Sequence, residues 1–237
     1  MSSNTWTPRA VASEARPARR RLWRAVEAQH IASTLRLVET VEEQALLERI
    51  LDDSKPSLPA GTGHMHYLLA TPFRYTSPIG SRFRQSADGG VWYGAEKQRS
   101  ALAELGFWRW RFLMDSPALP TLGPSPQTVF RAGIHARMVD LTQAPFKRAR
   151  ADWTRPDSYA ATQNFAQVAR EGGVDAIRYE SVRDPEHGAA MAVLNPRAFK
   201  PARPLAQENW FLTVRQERVV WQRDEASFEF DARLWRR

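Results

Sequence analysis

With 237 residues, 43% of them apolar and 25% charged, the chain has the size and composition of an ordinary folded protein, either one large domain or a domain with an appendage. No apolar run approaches the roughly 20 residues of a membrane-spanning helix, and no apolar core follows the basic start as in a secretory signal, so neither a span nor export is expected and the expected location is cytoplasmic. The absence of cysteine excludes disulfides, thiolate nucleophiles and Cys-ligated zinc, and the net charge of +8 is a weak pointer to nucleic acid because only four of the 34 basic residues are lysines, an arginine skew that codon composition alone can produce.

Residues 1–20 are rich in Ser, Pro, Ala and Arg with no apolar period, and are expected to form a disordered basic arm. Folding is expected to begin near Leu22, and residues 21–60 are read as a helical N-terminal extension. Within it, TVEEQALLERILDD opens with a capping box, Thr40 to Glu43, and carries Val41, Ala45 and Ile50 at helical spacing. SKPSLPAGTG, rich in turn formers, reads as a linker.

The folded domain is assigned to residues 61–237. Short extended runs are expected at 66–70 and at VWYGA, 91–95. A helix follows in EKQRSALAELGFWRWRFLMD, with Ala101, Leu105, Trp108 and Phe112 on one inward stripe and Glu104 beside it, at the edge of the core and facing a cleft. TVFRAGIHARMVDL, 128–141, alternates as a half-buried strand should, with Phe130, Ala132, Ile134, Ala136 and Met138 inward. SYAATQNFAQVAREGG reads as a helix ended by Gly172 or Gly173, VDAIRYESV as the strand after it, and RDPEHG followed by AAMAVL as a hairpin return. NWFLTV and RVVWQR flank a turn at Gln216 and Glu217 as a further strand pair. The sum is an α+β chain: a mixed sheet core with flanking helices and a small helical N-terminal part.

The segment GSRFRQSADGGVWYGAEKQRSALAELG, 80–106, places two arginines in a Gly-containing turn, an aromatic pair on a strand and a carboxylate on a helix. A guanidinium presents a rigid fork of donors that matches phosphate, so Arg82 and Arg84 are candidate anion contacts. Tyr93 can stack on a planar ring, and Glu104 can bond ribose hydroxyls or stabilise developing positive charge. Together these groups suit a nucleotide whose glycosidic bond is to be broken. Read one at a time, each has a plainer explanation: a surface arginine, core aromatics, a solvated helix glutamate.

These residues resemble the RES domain, a family named for an Arg, a Glu and a Ser. GSRF (80–83) is similar to its Gly-Gly-Arg-Trp/Phe element, VWYGAEKQRSALAE (91–104) to its Tyr…Ala-Leu-x-Glu element, and VDAIRYESVRD (174–184) to its Ser-bearing strand. The resemblance covers roughly residues 64–200, and the equal spacing from 82 to 93 to 104 gives it specificity. It implies an ADP-ribosyltransferase-like fold, NAD+ as the substrate consumed, and a place as the toxin half of a toxin–antitoxin pair with an Xre-type helix-turn-helix antitoxin. Nucleic acid would then be met only through that antitoxin.

On that resemblance the site residues are Arg82, Tyr93, Glu104 and Ser181, all four both catalytic and NAD+-binding. Arg82 would hold the pyrophosphate or an attacking phosphate, Tyr93 would pack on the nicotinamide or its ribose, and Glu104 would stabilise an oxocarbenium-like transition state. Ser181 would orient as a hydroxyl and not attack, because no His or Lys stands as its base. The acceptor is open between inorganic phosphate (NAD+ phosphorylase), water and a protein side chain (ADP-ribosyltransferase). Arg84 and the loop RDPEHG depart from the family pattern.

No metal is expected. His64 and His66 alternate but lack a third ligand at useful spacing. A reading from another class is a basic nucleic-acid-binding module using the arginine arm and FWRWRF, 107–112, whose aromatics and arginines interleave. Core aromatics with snorkelling arginines explain that run more simply.

Overall fold

A computed structural model describes residues 6–28, 38–75 and 77–236. The chain opens with helix α1 (Pro8–Glu14) and strand β1 (Arg16–Glu27), followed by helices α2 (Val41–Asp53) and α3 (Tyr67–Arg74), strand β2 (Trp92–Ala95) and helix α4 (Gln98–Met114). Then come strand β3 (Leu122–Asp140), helices α5 (Arg150–Trp153) and α6 (Ala160–Glu171), and strands β4 (Ala176–Glu180), β5 (Ala189–Val193), β6 (Ala206–Val214), β7 (Arg218–Arg223) and β8 (Ala226–Asp231). No helix among the described residues is long and apolar enough to cross a membrane.

The eight strands form one mixed sheet in the order β1-β2-β5-β4-β3-β6-β7-β8, and β1 also pairs with β3. Five strands therefore close on themselves, and β6 to β8 continue outward as an antiparallel meander. Strand β3 makes this possible by its length: its first half lies between β1 and β6, and its end, Met138–Asp140, runs parallel to β4. The alternation read in the sequence is what fills the ring. Phe130, Ala132, Ile134, Ala136 and Met138 are buried with Leu22, Trp92, Ala176, Met191 and Val193, and Leu68, Leu69 and Phe73 of α3 pack against them. A second core lies under α1 and α6, and a third joins α4 to β6–β8 through Phe107, Trp110, Trp221 and Trp235.

Four expectations are corrected. The arm expected to be disordered is ordered from Trp6 to Ala28: Thr7 caps α1, and all twelve residues of β1 are in register with β3. An arginine-rich strand passes for a solvated tail because the apolar Leu22 and Ala25 that anchor it are few. The boundary expected at residue 20 thus falls inside a strand, and residues 1–5 and 29–37 of the arm and extension lie outside the described residues. The run expected as a strand at 66–70 is instead the start of α3, where His66 Nδ1 accepts the Leu68 amide (3.3 Å) and replaces the missing first-turn partner. On α4 the buried stripe is Leu102, Gly106, Trp110 and Leu113, whereas Trp108 and Phe112, expected inward, are each 52% exposed. Finally β8 was not foreseen; it completes the meander on β7.

The capping box on α2 is formed as expected, with the Glu43 amide on Thr40 Oγ1 (3.1 Å) and the Thr40 amide on Glu43 Oε2 (3.2 Å). Its apolar residues Val41 and Ile50 are nevertheless exposed.

Candidate active site

A cleft of about 220 Å³ opens where α4 crosses from the ring to the meander. Arg82, Tyr93 and Glu104 line it, and Ser181, itself buried, reaches Glu104 from behind. The four residues of the family pattern therefore converge, although the serine is 77 positions from the glutamate in the chain.

Glu104 is half-buried on α4, and its Oε1 accepts the Ser181 hydroxyl at 2.6 Å. Ser181 Oγ in turn accepts the backbone amides of Arg183 (3.3 Å) and Asp184 (3.0 Å). Both lone pairs of the hydroxyl are thus used, and its one proton is committed to the carboxylate. Asp184 sets this arrangement. Its carboxylate takes Arg99 Nη1 (2.7 Å), Ser100 Oγ (2.5 Å) and the amides of Glu186 and Gly188, which ties the 181–188 loop into a closed turn. A Cβ on Gly188 would lie 2.1 Å from Ser100 Oγ and 2.7 Å from Asp184 Oδ2, so the close approach requires glycine.

Burial pushes the Glu104 carboxyl above the usual carboxylate range, against the Ser181 hydrogen bond and the charges of Arg82 and Arg183, which favour the ionised form. Solvent reaching it through the cleft mouth tempers the rise. If the reaction needs the carboxylate, activity must fall as pH drops through this raised value. The acid limb of kcat/KM is therefore expected above the ~4.3 of a free glutamate. Ser181→Ala, by removing a bond that holds the ionised form, is expected to move the limb to still higher pH. A pH–rate profile checks both, and a limb that stays put or moves down contradicts the assignment.

Tyr93 is fixed by its hydroxyl, which bonds Ser81 Oγ (2.7 Å) and accepts the Phe83 amide (3.0 Å). Burial raises its pKa, so it remains a neutral phenol that clamps the 81–83 turn beside the cleft. Arg82 lines the cleft with part of its donor fork already engaged. Its Nη1 donates to the Trp153 carbonyl (3.0 Å), its Nη2 to the Arg155 carbonyl (3.0 Å), and its guanidinium lies 4.7 Å from the centre of the Tyr159 ring. Those bonds hold the 153–159 segment to the cleft wall. Arg84 is wholly structural: its Nη groups bond the carbonyls of Ser77, Ile79, Gln85 and Ser86.

Sequence reasoning missed several cleft residues. Arg24, in the arm taken for disordered, donates Nη1 to the Tyr93 carbonyl (3.0 Å), while its Nε is sealed from solvent without a partner. Burial lowers its pKa to about 10, so it stays charged at neutral pH. Arg183, in the RDPEHG loop that departs from the family pattern, stacks 3.8 Å from the Phe107 ring centre and bonds the Pro156 carbonyl and Tyr159 hydroxyl. Tyr179 and Trp108 also line the cleft. The period-two pattern of Leu22, Arg24 and Val26 was the available signal for Arg24. Three guanidiniums around one carboxylate leave the cleft cationic, which suits an anionic ligand. The arginines of FWRWRF pair instead with carboxylates, Arg109 with Glu27 (2.5 Å) and Arg111 with Asp115 (3.0 Å).

Compared with known proteins, the chain matches the family described as the RES domain over residues 58–222. Strand β1 with Arg24 precedes that span. Among solved structures, it is similar to the M. tuberculosis MbcT–MbcA toxin–antitoxin complex, with a TM-score of 0.48 and 10% identity over 95% of this chain and 94% of that one. No curated protein matches the chain.

Proposed function

The chain belongs to the RES domain family, and from that premise we propose that it is an NAD+-consuming toxin that breaks the nicotinamide–ribose bond and passes ADP-ribose to inorganic phosphate. The observation that carries this reading is the Ser181–Glu104 pair: a carboxylate facing a cationic cleft, held by a hydroxyl that has no lone pair left for attack. Such a carboxylate is placed to stabilise positive charge and not to receive a proton from a serine nucleophile.

In the reaction, the bond from ribose C1′ to the nicotinamide nitrogen breaks with its electron pair going to the ring. The positive charge passes to the ribose, where Glu104 stabilises it, and an acceptor oxygen forms the new bond to C1′. Arg24 and Arg183 supply the cationic side for the pyrophosphate and the incoming phosphate. Arg82 orders the wall that carries Tyr159, and Tyr93 holds the turn on which Arg82 sits. Excess positive charge in the cleft favours phosphate over water as acceptor. As in the family, the protein works in the cytoplasm and is neutralised by an Xre-type helix-turn-helix antitoxin that covers the cleft.

Purified protein incubated with NAD+ is expected to release nicotinamide faster when phosphate is present and to yield phosphorylated ADP-ribose. Chromatography of the products distinguishes the acceptors. Free ADP-ribose at a phosphate-independent rate would indicate water, label left on protein would indicate an ADP-ribosyltransferase, and intact NAD+ would overturn the reading.

A further inference from the structure

We propose that Trp108 is the platform on which the purine base of the dinucleotide stacks, outside the enclosed part of the cleft; this rests on the NAD+ reading above. A cleft of about 220 Å³ is smaller than the roughly 300–1,000 Å³ of sites that enclose a whole drug-sized ligand. It accommodates one nucleoside end of a dinucleotide beside Glu104, so the other nucleoside must lie on the rim.

The rim on α4 is aromatic. Trp108 lies four residues after Glu104, one helical turn on the same face, and lines the cleft while 52% exposed. Phe112, four residues further, is also 52% exposed. An exposed tryptophan leaves a large apolar face in water, which a base would cover. The ring is held in place by Phe107, at 5.2 Å between centroids and 75° between planes. Among the described residues no arginine or lysine stacks on Trp108, unlike Trp23, Trp92 and Trp6, whose faces carry arginines. Arg24 and Arg183 also line the cleft, a suitable place for the linking pyrophosphate. Base–aromatic stacking tolerates any base because every base has a π-face. The platform therefore selects a dinucleotide over a mononucleotide without selecting adenine over guanine.

The test compares NAD+, nicotinamide guanine dinucleotide and nicotinamide mononucleotide as substrates of the full chain. The ratio of kcat/KM for NAD+ to that for the mononucleotide is expected to fall about tenfold in Trp108→Ala, the scale of one base stack, and to recover largely in Trp108→Phe. The guanine dinucleotide should follow NAD+ in all three proteins. Calorimetric affinities for ADP-ribose and ribose 5-phosphate give a second readout independent of turnover, with only the first weakened by Trp108→Ala. An unchanged substrate ratio and an unchanged ADP-ribose affinity would overturn the proposal. If the wild-type protein turns over none of the substrates, the functional reading falls, and the ADP-ribose affinities alone decide the platform.

Discussion

Glu104→Gln is expected to cost at least about 10²–10³-fold in NAD+ turnover, the scale of removing one preorganised electrostatic partner of a transition state, and at the same time to raise the melting temperature at neutral pH. The two effects have one cause. Burial raises the Glu104 pKa, which means that the folded protein disfavours the ionised form the reaction uses. A group with a raised folded pKa contributes its full stability below the unfolded value and loses it as pH climbs through the folded value. At neutral pH the ionised carboxylate therefore weighs against the fold, and a neutral amide of the same shape relieves that cost. The Ser181 hydroxyl can still donate to the amide oxygen, so no buried donor is orphaned. Thermal melts beside an NAD+ assay check the pair of effects. A variant that melts lower than wild type, or one that still turns over NAD+ at a comparable rate, is incompatible with this account.

Arg82→Ala and Arg24→Ala are expected to fail in opposite ways. Arg82 makes two charge-assisted bonds to carbonyls of the 153–155 segment, each worth about 1.5–3 kcal/mol. Its loss should cost about 3 kcal/mol or more, which for a chain of this size corresponds to roughly 6–12 °C in melting temperature. Activity falls with it, because the wall carrying Tyr159 loosens. Arg24 makes one hydrogen bond, to the Tyr93 carbonyl, lies 5.3 Å from the Trp92 ring centre and leaves Nε sealed without a hydrogen-bond partner, so the fold gains less from its charge than from that of Arg82. Arg24→Ala should shift the melt by much less while lowering kcat/KM for NAD+ about 10²-fold, as expected for loss of a cationic phosphate contact in a partly dry cleft. An Arg82 variant that melts like wild type, or an Arg24 variant with wild-type kcat/KM, would overturn the role assigned to that arginine.

Legibility in the sequence followed the range of the interactions. The α2 start was readable because a capping box is complete within four residues, and β3 because alternation is a property of one strand. α3 was misread because its start depends on the ring nitrogen of His66, and its apolar run fits a short strand equally well. On α4 the inward stripe holds at Ala101 and, in part, at Leu105, and fails at Trp108 and Phe112. Period alone ranks Trp108 and Phe112 with the core, but burial depends on where β6–β8 lie, and they cover Phe107 and Trp110. Of the candidate site, Arg82, Tyr93, Glu104 and Ser181 were legible through the RES-like spacing, while Arg24, Arg183 and Trp108 were not.

The sequence by itself determined the α+β class, the long alternating strand and the four polar residues that meet at the cleft, since these depend on periodicity and on motifs written along one chain. Only the tertiary structure decided which carbonyls each cleft guanidinium engages. The carbonyls that occupy Arg82 come from residues 71 and 73 positions away, and the pairing that carries Arg24 into the cleft joins β1 to strands far along the chain. A side chain's chemistry is local, but its remaining hydrogen-bonding capacity depends on every neighbour the fold brings to it.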